Sequence, residues 1–296
     1  MKEEFKYVNR YKDELFGHKR IASNEDAILL LVTGMAEHSS RYNHFATFLN
    51  ENNISVYCLD HYGQGKNGTL GNPGKDYFFK MEATIDEFIT LLKKQNKKVY
   101  LFAHSMGSFI TQGYIQEYKG NADKVILCGS NGKTILFKLG NFLAHLVVNK
   151  NNYDKEAGFL YRLAIGAYEK PFLSESKNAW ISRNKENVKI YDEDPLSGFN
   201  CTNGFYYEFL KGLSSLHNKK KMQQINKNFP ILIIGGKEDP VGNYSKGLLK
   251  LQKEYLKYGL NAQLIIYENM RHEILNEENN QIVYQDIINF LNSWYL

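Results

Sequence analysis

The sequence has few cysteines and no long hydrophobic run. Its three cysteines, Cys58, Cys128 and Cys201, are far apart and lack the spacing of a metal site. This pattern argues against a disulfide framework and predicts reduced thiols, as in cytosolic proteins. The N-terminus has no apolar signal core, and no segment is long enough to span a bilayer. We therefore expect a cytoplasmic protein.

A strong charge of one sign is also absent. The formal net charge is +5 at pH 7, and the lysines are distributed among acidic residues. This distribution predicts a solvated surface, no nucleic-acid binding and at most peripheral membrane contact. With 296 residues and 43% hydrophobic content, the chain is long enough for one large core with an inserted subdomain. The sequence leaves the oligomeric state open.

The sequence does contain an alternation of buried strands and amphipathic helices. Aliphatic runs alternate with 3.6-residue apolar periodicity, which favours an α/β fold with a mainly parallel sheet flanked by helices. An antiparallel hairpin is expected before the first run. The predicted strands of the main sheet are residues 27–33, 54–60, 98–104, 124–129, 230–236 and 263–267. The predicted helices are residues 40–50, 82–95, 106–118, 244–258 and 282–296.

The central motif is Ala103-His104-Ser105-Met106-Gly107. Small residues surround a serine between a β-branched strand and a helical pattern. This arrangement is typical of the nucleophile elbow of an α/β-hydrolase, which holds a serine in a strained backbone geometry. Because a serine hydroxyl needs a base to become a nucleophile, the motif predicts partners elsewhere in the chain.

Glycine-rich loops follow the first two strands of the predicted parallel sheet. The first loop contains Gly34, and the second contains Gly63, Gly65 and Gly68. The second loop has the spacing of a dinucleotide-binding motif, but further loop residues follow it where that motif requires a helix. We therefore do not predict a dinucleotide cofactor, and we expect both loops to border the binding site.

Residues 130–228 interrupt the alternation. Helical segments rich in aromatic and aliphatic residues occur there without a strand signal. An insertion of this length predicts a helical cap over the elbow, with residues 1–129 and 229–296 as the hydrolase core. We expect aromatic residues of the cap to contact the substrate. The alternative is a helical subdomain whose apolar residues only fill its own core.

Chain order selects the partners of Ser105. In α/β-hydrolases an acid and then a histidine follow the nucleophile. Asp239 follows a buried strand and precedes a proline, and His272 lies in the next strand-end loop. We predict these two residues as the acid and the base. Glu238 is the second choice for the acid because its side chain is longer and freer, and His217 is placed at a solvated, lysine-rich surface.

The oxyanion hole is predicted from position alone. The backbone amide of Met106 directly follows the nucleophile, and that of Met35 lies in the first glycine loop. Two amides in these positions stabilise the oxyanion that develops in acyl transfer.

Five segments carry a family resemblance: GMAEHS at 34–39, DHYGQG at 60–65, HSMG at 104–107, DP at 239–240 and RHEILNE at 271–277. Together they resemble the monoglyceride lipase and lysophospholipase branch of the α/β-hydrolases, a group also called serine aminopeptidase S33 or Hydrolase_4. The resemblance runs almost from end to end. Residues 180–183 and 194–199 of the cap are similar to bacterial lysophospholipase-like members.

The resemblance implies ester hydrolysis through an acyl-enzyme on Ser105, without a metal or organic cofactor. The implied substrate is a small acyl ester, such as a monoacylglycerol or a lysophospholipid. A proline-releasing aminopeptidase of the same family is an alternative. That enzyme would need cap carboxylates to bind a free amino terminus, and the candidates are Asp154, Glu156, Glu169 and Glu175.

Four positions depart from the family pattern. Thr33 and Gln64 replace histidines, and Ala103 and Ser108 replace glycines beside the elbow. The predicted triad and backbone donors are unaffected by these substitutions. They motivate a second alternative, a hydrolase homologue that binds an acyl ligand without catalysis.

Overall fold

Eight strands form one sheet in the computed structural model, which describes residues 2–119 and 121–293. Their order across the sheet is β1-β2-β4-β3-β5-β6-β7-β8. β1 and β2 pair antiparallel, as do β2 and β4. All pairings among β3 to β8 are parallel. The strands are β1 (Lys2–Val8), β2 (Glu14–Arg20), β3 (Ala27–Val32), β4 (Ile54–Leu59), β5 (Lys98–His104), β6 (Lys124–Cys128), β7 (Ile231–Gly236) and β8 (Ala262–Tyr267). The predicted α/β-hydrolase architecture is confirmed.

The central strands are apolar on both faces. In β3, Ile28 and Leu30 pack into one core, and Leu29 and Leu31 pack into the core on the opposite face. Burial of such a side chain stabilises the fold by about 1.5–3 kcal/mol. A continuous aliphatic run therefore indicates a strand with a helical layer on each side.

Helices cover both faces of the sheet. α2 begins at Tyr77, five residues before the predicted start, because Tyr77 and Phe78 are buried against the cap and the core despite their modest helix propensity. The predicted last helix ends within the described residues at Asn292, and residues 294–296 of that prediction lie outside them. The helices outside residues 130–228 are α1 (Asn43–Glu51), α2 (Tyr77–Lys93), α3 (Met106–Glu117), α10 (Lys246–Lys257) and α11 (Asn280–Asn292).

Residues 130–228, the predicted cap, lie between β6 and β7 and are helical. Their helices are α4 (Ile135–Val147), α5 (Phe159–Tyr161), α6 (Ala167–Glu169), α7 (Lys185–Glu193), α8 (Asn203–Ser215) and α9 (Lys219–Gln224), with a π-helical turn at Arg162–Gly166. One face of α4 exposes large apolar side chains, including Ile135, Leu136, Phe142 and Leu146. The division of the chain into a core and a cap stays a prediction.

The sheet topology brings several loops to one edge. The loops after β3, β4, β5, β7 and β8 all follow the carboxyl ends of parallel strands, where open α/β sheets bind their ligands. Among the described residues, no helix is both long and apolar enough to cross a membrane.

Candidate active site

Ser105 lies on the sharp turn between β5 and α3. Its backbone has φ 51° and ψ −121°, a strained conformation for a residue with a side chain. Its amide donates to the carbonyl of Cys128 at 2.9 Å, which fixes the turn against β6. A side chain at Gly107 would clash with the carbonyl of Thr33, so α3 starts in close contact with β3. The turn therefore forms with Ala103 in place of the usual glycine.

Asp239 and His272 meet beside this turn. The Oδ2 atom of Asp239 lies 3.0 Å from Nδ1 of His272, and both side chains are almost completely buried. The other oxygen, Oδ1, accepts from the amide of Val241 at 2.8 Å. Glu238 instead accepts from Arg183 at 2.6 Å near the surface. His272 and Ser105 line one cavity of about 530 Å³, and their catalytic roles stay a prediction.

Met35 and Met106 line the same cavity. Met106 is the first residue of α3, so its amide has no acceptor one turn earlier in the helix. Within the described part of the chain, the Met35 amide donates no hydrogen bond either. Both N–H groups are thus available to a developing oxyanion, which is the role predicted for them.

Gln64 holds the loop that contains Met35. Its Nε2 donates to the carbonyls of Gly34 at 2.9 Å and Glu37 at 3.2 Å, and its Oε1 accepts from the Ala36 amide at 2.7 Å. The loop is therefore fixed on both sides of Met35. In the sequence, Gln64 is only a departure from the family pattern, and no local signal indicates this support.

The second glycine loop supports the first through two further contacts. Nε2 of His61 donates to the carbonyl of Thr33 at 2.8 Å. Burial lowers the pKa of His61 to about 4, so the ring is neutral at pH 7. Oδ1 of Asp60 accepts from the Ser39 amide at 2.7 Å.

A buried network of charges lies behind the histidine loop. Arg41 forms two hydrogen bonds to Glu273, at 2.5 and 2.7 Å, and a third to Glu37 at 3.0 Å. Asn187 of the cap donates to Glu273 at 2.8 Å. Burial opposes ionisation of both glutamates, but the Arg41 charge helps to hold their pKa values below the ordinary range. The network ties the residue after His272 to the first glycine loop and to the cap.

His104 extends this network to His272. Its ring lies 4.7 Å from the ring of His272, and its Nδ1 lies 3.2 Å from Oε1 of Glu37. Burial alone would lower the pKa of His104, but the hydrogen bond and the charge of Glu37 raise it above its ordinary value. The sequence contained both residues in matched motifs but gave no sign that they pair.

Residues 130–228 contact the first glycine loop and His272. The carbonyl of Ala36 accepts from the amide of Gly198 at 2.9 Å, and Nε2 of His38 lies 2.6 Å from Oδ2 of Asp194. The ring of Trp180 lies 5.2 Å from that of His272. These contacts explain how residues of the cap form part of the cavity wall.

The expectation for His217 is wrong. Its side chain is buried, and its Nδ1 lies 3.0 Å from Oε2 of Glu254 on α10. Its amide donates to Gln116 of α3 at 2.8 Å. The three lysines at 219–221 suggested a solvated segment, but His217 lies at the turn before α9, where the chain packs back onto the core.

Three comparisons relate the chain to known proteins. It matches the Hydrolase_4 family, described as serine aminopeptidase S33, over residues 23–279. Monoacylglycerol lipase from Mycolicibacterium smegmatis is 22% identical, over 89% of this chain and 87% of that protein. Probable lysophospholipase L2 from Haemophilus influenzae is 24% identical, over 97% of this chain and 91% of that protein.

Among solved structures, a highly thermostable carboxyl esterase from Bacillus coagulans in complex with glycerol is similar with a TM-score of 0.90. The two chains are 23% identical, and 98% of each is covered. This similarity concerns the fold, whereas the family match spans most of the sequence. The chain belongs to the Hydrolase_4 family, serine aminopeptidase S33, and is a hydrolase with the α/β-hydrolase fold.

Proposed function

We propose that the protein is a serine carboxylic-ester hydrolase that acts on a monoacyl lipid ester through an acyl-enzyme on Ser105. The observation that carries the proposal is the 3.0 Å approach of Asp239 to His272 beside a cavity that also contains Ser105. A strained serine, an oriented imidazole and a buried carboxylate are the parts that nucleophilic acyl transfer requires.

The reaction begins when Oγ of Ser105 attacks the carbonyl carbon of the ester. Nε2 of His272 accepts the hydroxyl proton, while Asp239 holds Nδ1–H and stabilises the imidazolium. The amides of Met35 and Met106 donate to the oxyanion of the tetrahedral intermediate. His272 then returns the proton to the departing alcohol. In the second half of the reaction, His272 accepts a proton from water as the water attacks the acyl-enzyme, and it returns that proton to Oγ of Ser105 as the carboxylic acid leaves.

The lining of the cavity supports an acyl substrate. Its wall is mostly apolar. The aromatic residues in the wall are Phe109, Phe137, Tyr161, Tyr168, Trp180, Tyr191, Phe199, Tyr206 and Phe209. All of them except Phe109, which lies on α3, belong to the cap. A volume of about 530 Å³ matches ordinary small-molecule sites. The related monoacylglycerol lipase and lysophospholipase, by their names, act on lipids with one acyl chain. We infer the same substrate class for this chain.

The exposed apolar face of α4 supports a peripheral contact with lipid aggregates. Leu136 and Leu139 of this helix are exposed and also line the cavity. An apolar surface continuous with a binding site suits a substrate that leaves a micelle or a membrane.

Aminopeptidase activity is the second candidate, because one cap carboxylate does line the cavity. Glu169 is buried there and accepts a hydrogen bond from the hydroxyl of Tyr161. Of the other candidates, Glu175 pairs with Arg271 at 2.6 Å and Asp154 accepts from Asn72 at 3.1 Å. A single carboxylate is a weaker site for an amino terminus than the cluster that this activity was expected to need.

An ester and amide panel tests the proposal. We expect kcat/KM for p-nitrophenyl octanoate to exceed that for the acetate ester by about tenfold or more, because each buried methylene contributes about 0.8 kcal/mol. Proline 2-naphthylamide should not be hydrolysed. Equal rates on acetate and octanoate would contradict an acyl pocket, and faster hydrolysis of the amide would favour the aminopeptidase.

A further inference from the structure

Three lysines line the cavity at its border with α10. Lys246 and Lys250 are four residues apart and therefore lie on the same face of that helix, and Lys133 lies in the loop before α4. The amide of Gly132 donates to the carbonyl of Gly247 at 3.1 Å. The backbone next to Lys133 is thus in direct contact with the backbone next to Lys246.

The same region is connected to the predicted triad. Nδ2 of Asn131 donates to the carbonyl of Val241 at 2.7 Å, and the amide of Val241 donates to Asp239 at 2.8 Å. The loop before α4 and the start of α10 therefore rest on the loop that carries the acid. Ser105 lines the same cavity as these three lysines.

The carboxylates of the cavity wall do not neutralise these lysines. Glu37 and Glu273 are both paired with Arg41. Among the described residues, no carboxylate lies within ion-pair distance, 4.0 Å, of Lys246 or Lys250.

The remaining acidic groups lie elsewhere along the wall or already have partners. Glu169 accepts from Tyr161, and the ammonium of Lys177 lies 5.3 Å from the centre of that tyrosine ring. Glu254 pairs with His217, and the charge of Lys133 is among the influences that lower its pKa. The ammonium of Lys133 also donates to the carbonyl of His217 at 3.5 Å. Lys133 is therefore partly compensated, whereas Lys246 and Lys250 are not, and the region keeps an excess of positive charge.

We propose that Lys133, Lys246 and Lys250 form a subsite for the phosphate of a monoacyl glycerophosphate ester. This inference rests on the proposed ester hydrolysis, because the phosphate belongs to the alcohol that the reaction releases. Phosphate oxygens accept charge-assisted hydrogen bonds from lysine. The subsite favours a phosphate-bearing substrate over a neutral monoacylglycerol.

Two substrates that differ only in this group test the subsite: 1-octanoylglycerol and 1-octanoylglycerol 3-phosphate, both below their critical micelle concentrations. In wild type, kcat/KM is higher for the phosphate. In K246Q/K250Q, the ratio of kcat/KM for 1-octanoylglycerol 3-phosphate to kcat/KM for 1-octanoylglycerol falls about tenfold. Added salt lowers the wild-type ratio, because it screens exposed charges.

The matched control is K253Q/K257Q, which removes two charges from the same helix at positions that do not line the cavity. This variant keeps the wild-type ratio. An unchanged ratio in K246Q/K250Q would overturn the proposal. So would an effect that occurs only with substrates embedded in anionic vesicles, since the lysines would then contact a membrane surface.

Calorimetry separates this inference from the proposed reaction. Octanoylglycerol 3-phosphate binds S105A, and binding weakens about tenfold in S105A/K246Q/K250Q. Lysine-dependent binding without any wild-type hydrolysis would refute the reaction and leave the subsite standing. Hydrolysis by wild type with lysine-independent binding would refute the subsite. Inorganic phosphate that binds as tightly as the lipid would assign the lysines to a free anion instead.

Discussion

Replacement of Ser105 by alanine is expected to lower kcat/KM for p-nitrophenyl octanoate by about 10⁴-fold or more. The hydroxyl is the proposed nucleophile, and no other group in the described cavity lies on a strained strand-to-helix turn next to two free amides. His272→Ala should cause a loss of similar size. Because the two residues act as one unit, the double variant should lose little more than either single variant.

Ser214→Ala is the matched control for this series. Ser214 lies on α8, and its hydroxyl donates only to the carbonyl of Lys211, at 2.8 Å. We expect wild-type rates from this variant. Circular dichroism and thermal melts should show that all four proteins are folded. Substantial turnover by folded His272→Ala protein would exclude the proposed base.

Arg41→Met is expected to lower the free energy of unfolding by about 3–5 kcal/mol at pH 7. The change removes the shared partner of Glu37 and Glu273. It leaves Glu273 buried without its counter-charge and leaves Glu37 paired with His104 alone. Urea denaturation measures the loss. Arg183→Met is the control, because the exposed Arg183–Glu238 pair should contribute about 1 kcal/mol or less.

The size of the Arg41 effect should depend on pH. The pKa values of Glu37 and Glu273 are lowered in the folded protein, so their stabilising contribution is present above the unfolded value of about 4.3. It is lost as the pH falls through their folded values. The difference in stability between wild type and Arg41→Met should therefore be largest near neutral pH and shrink in acid. A difference that stays constant down to pH 3 would contradict the network.

The sequence predicted the elements whose signal is local. Aliphatic runs such as residues 27–33 identify buried strands, because only a strand covered on both faces is apolar at every position. Asp239 was chosen over Glu238 because it precedes a proline and has the shorter side chain, and the structure brings Asp239 to His272. These conclusions required no knowledge of how distant segments pack.

The parts that the sequence did not predict depend on such packing. Arg41 and Glu273 are 232 residues apart, so no local pattern indicates that they pair. Gln64 differs from the family residue, and its role follows only from three hydrogen bonds to the first glycine loop. His217 lies in a segment whose composition suggests solvent, but tertiary contacts bury it. The composition of a segment therefore does not determine its solvent exposure, which depends on the residues that pack against it.

The most direct test of the proposed acyl-enzyme is labelling with a fluorophosphonate probe, read by intact mass and peptide mapping. The probe reacts with a serine only when a base activates it. We predict one adduct on the wild-type protein, located at Ser105, and none on Ser105→Ala. An adduct at a different serine, or no adduct on folded wild-type protein, would contradict Ser105 as the nucleophile of this hydrolase.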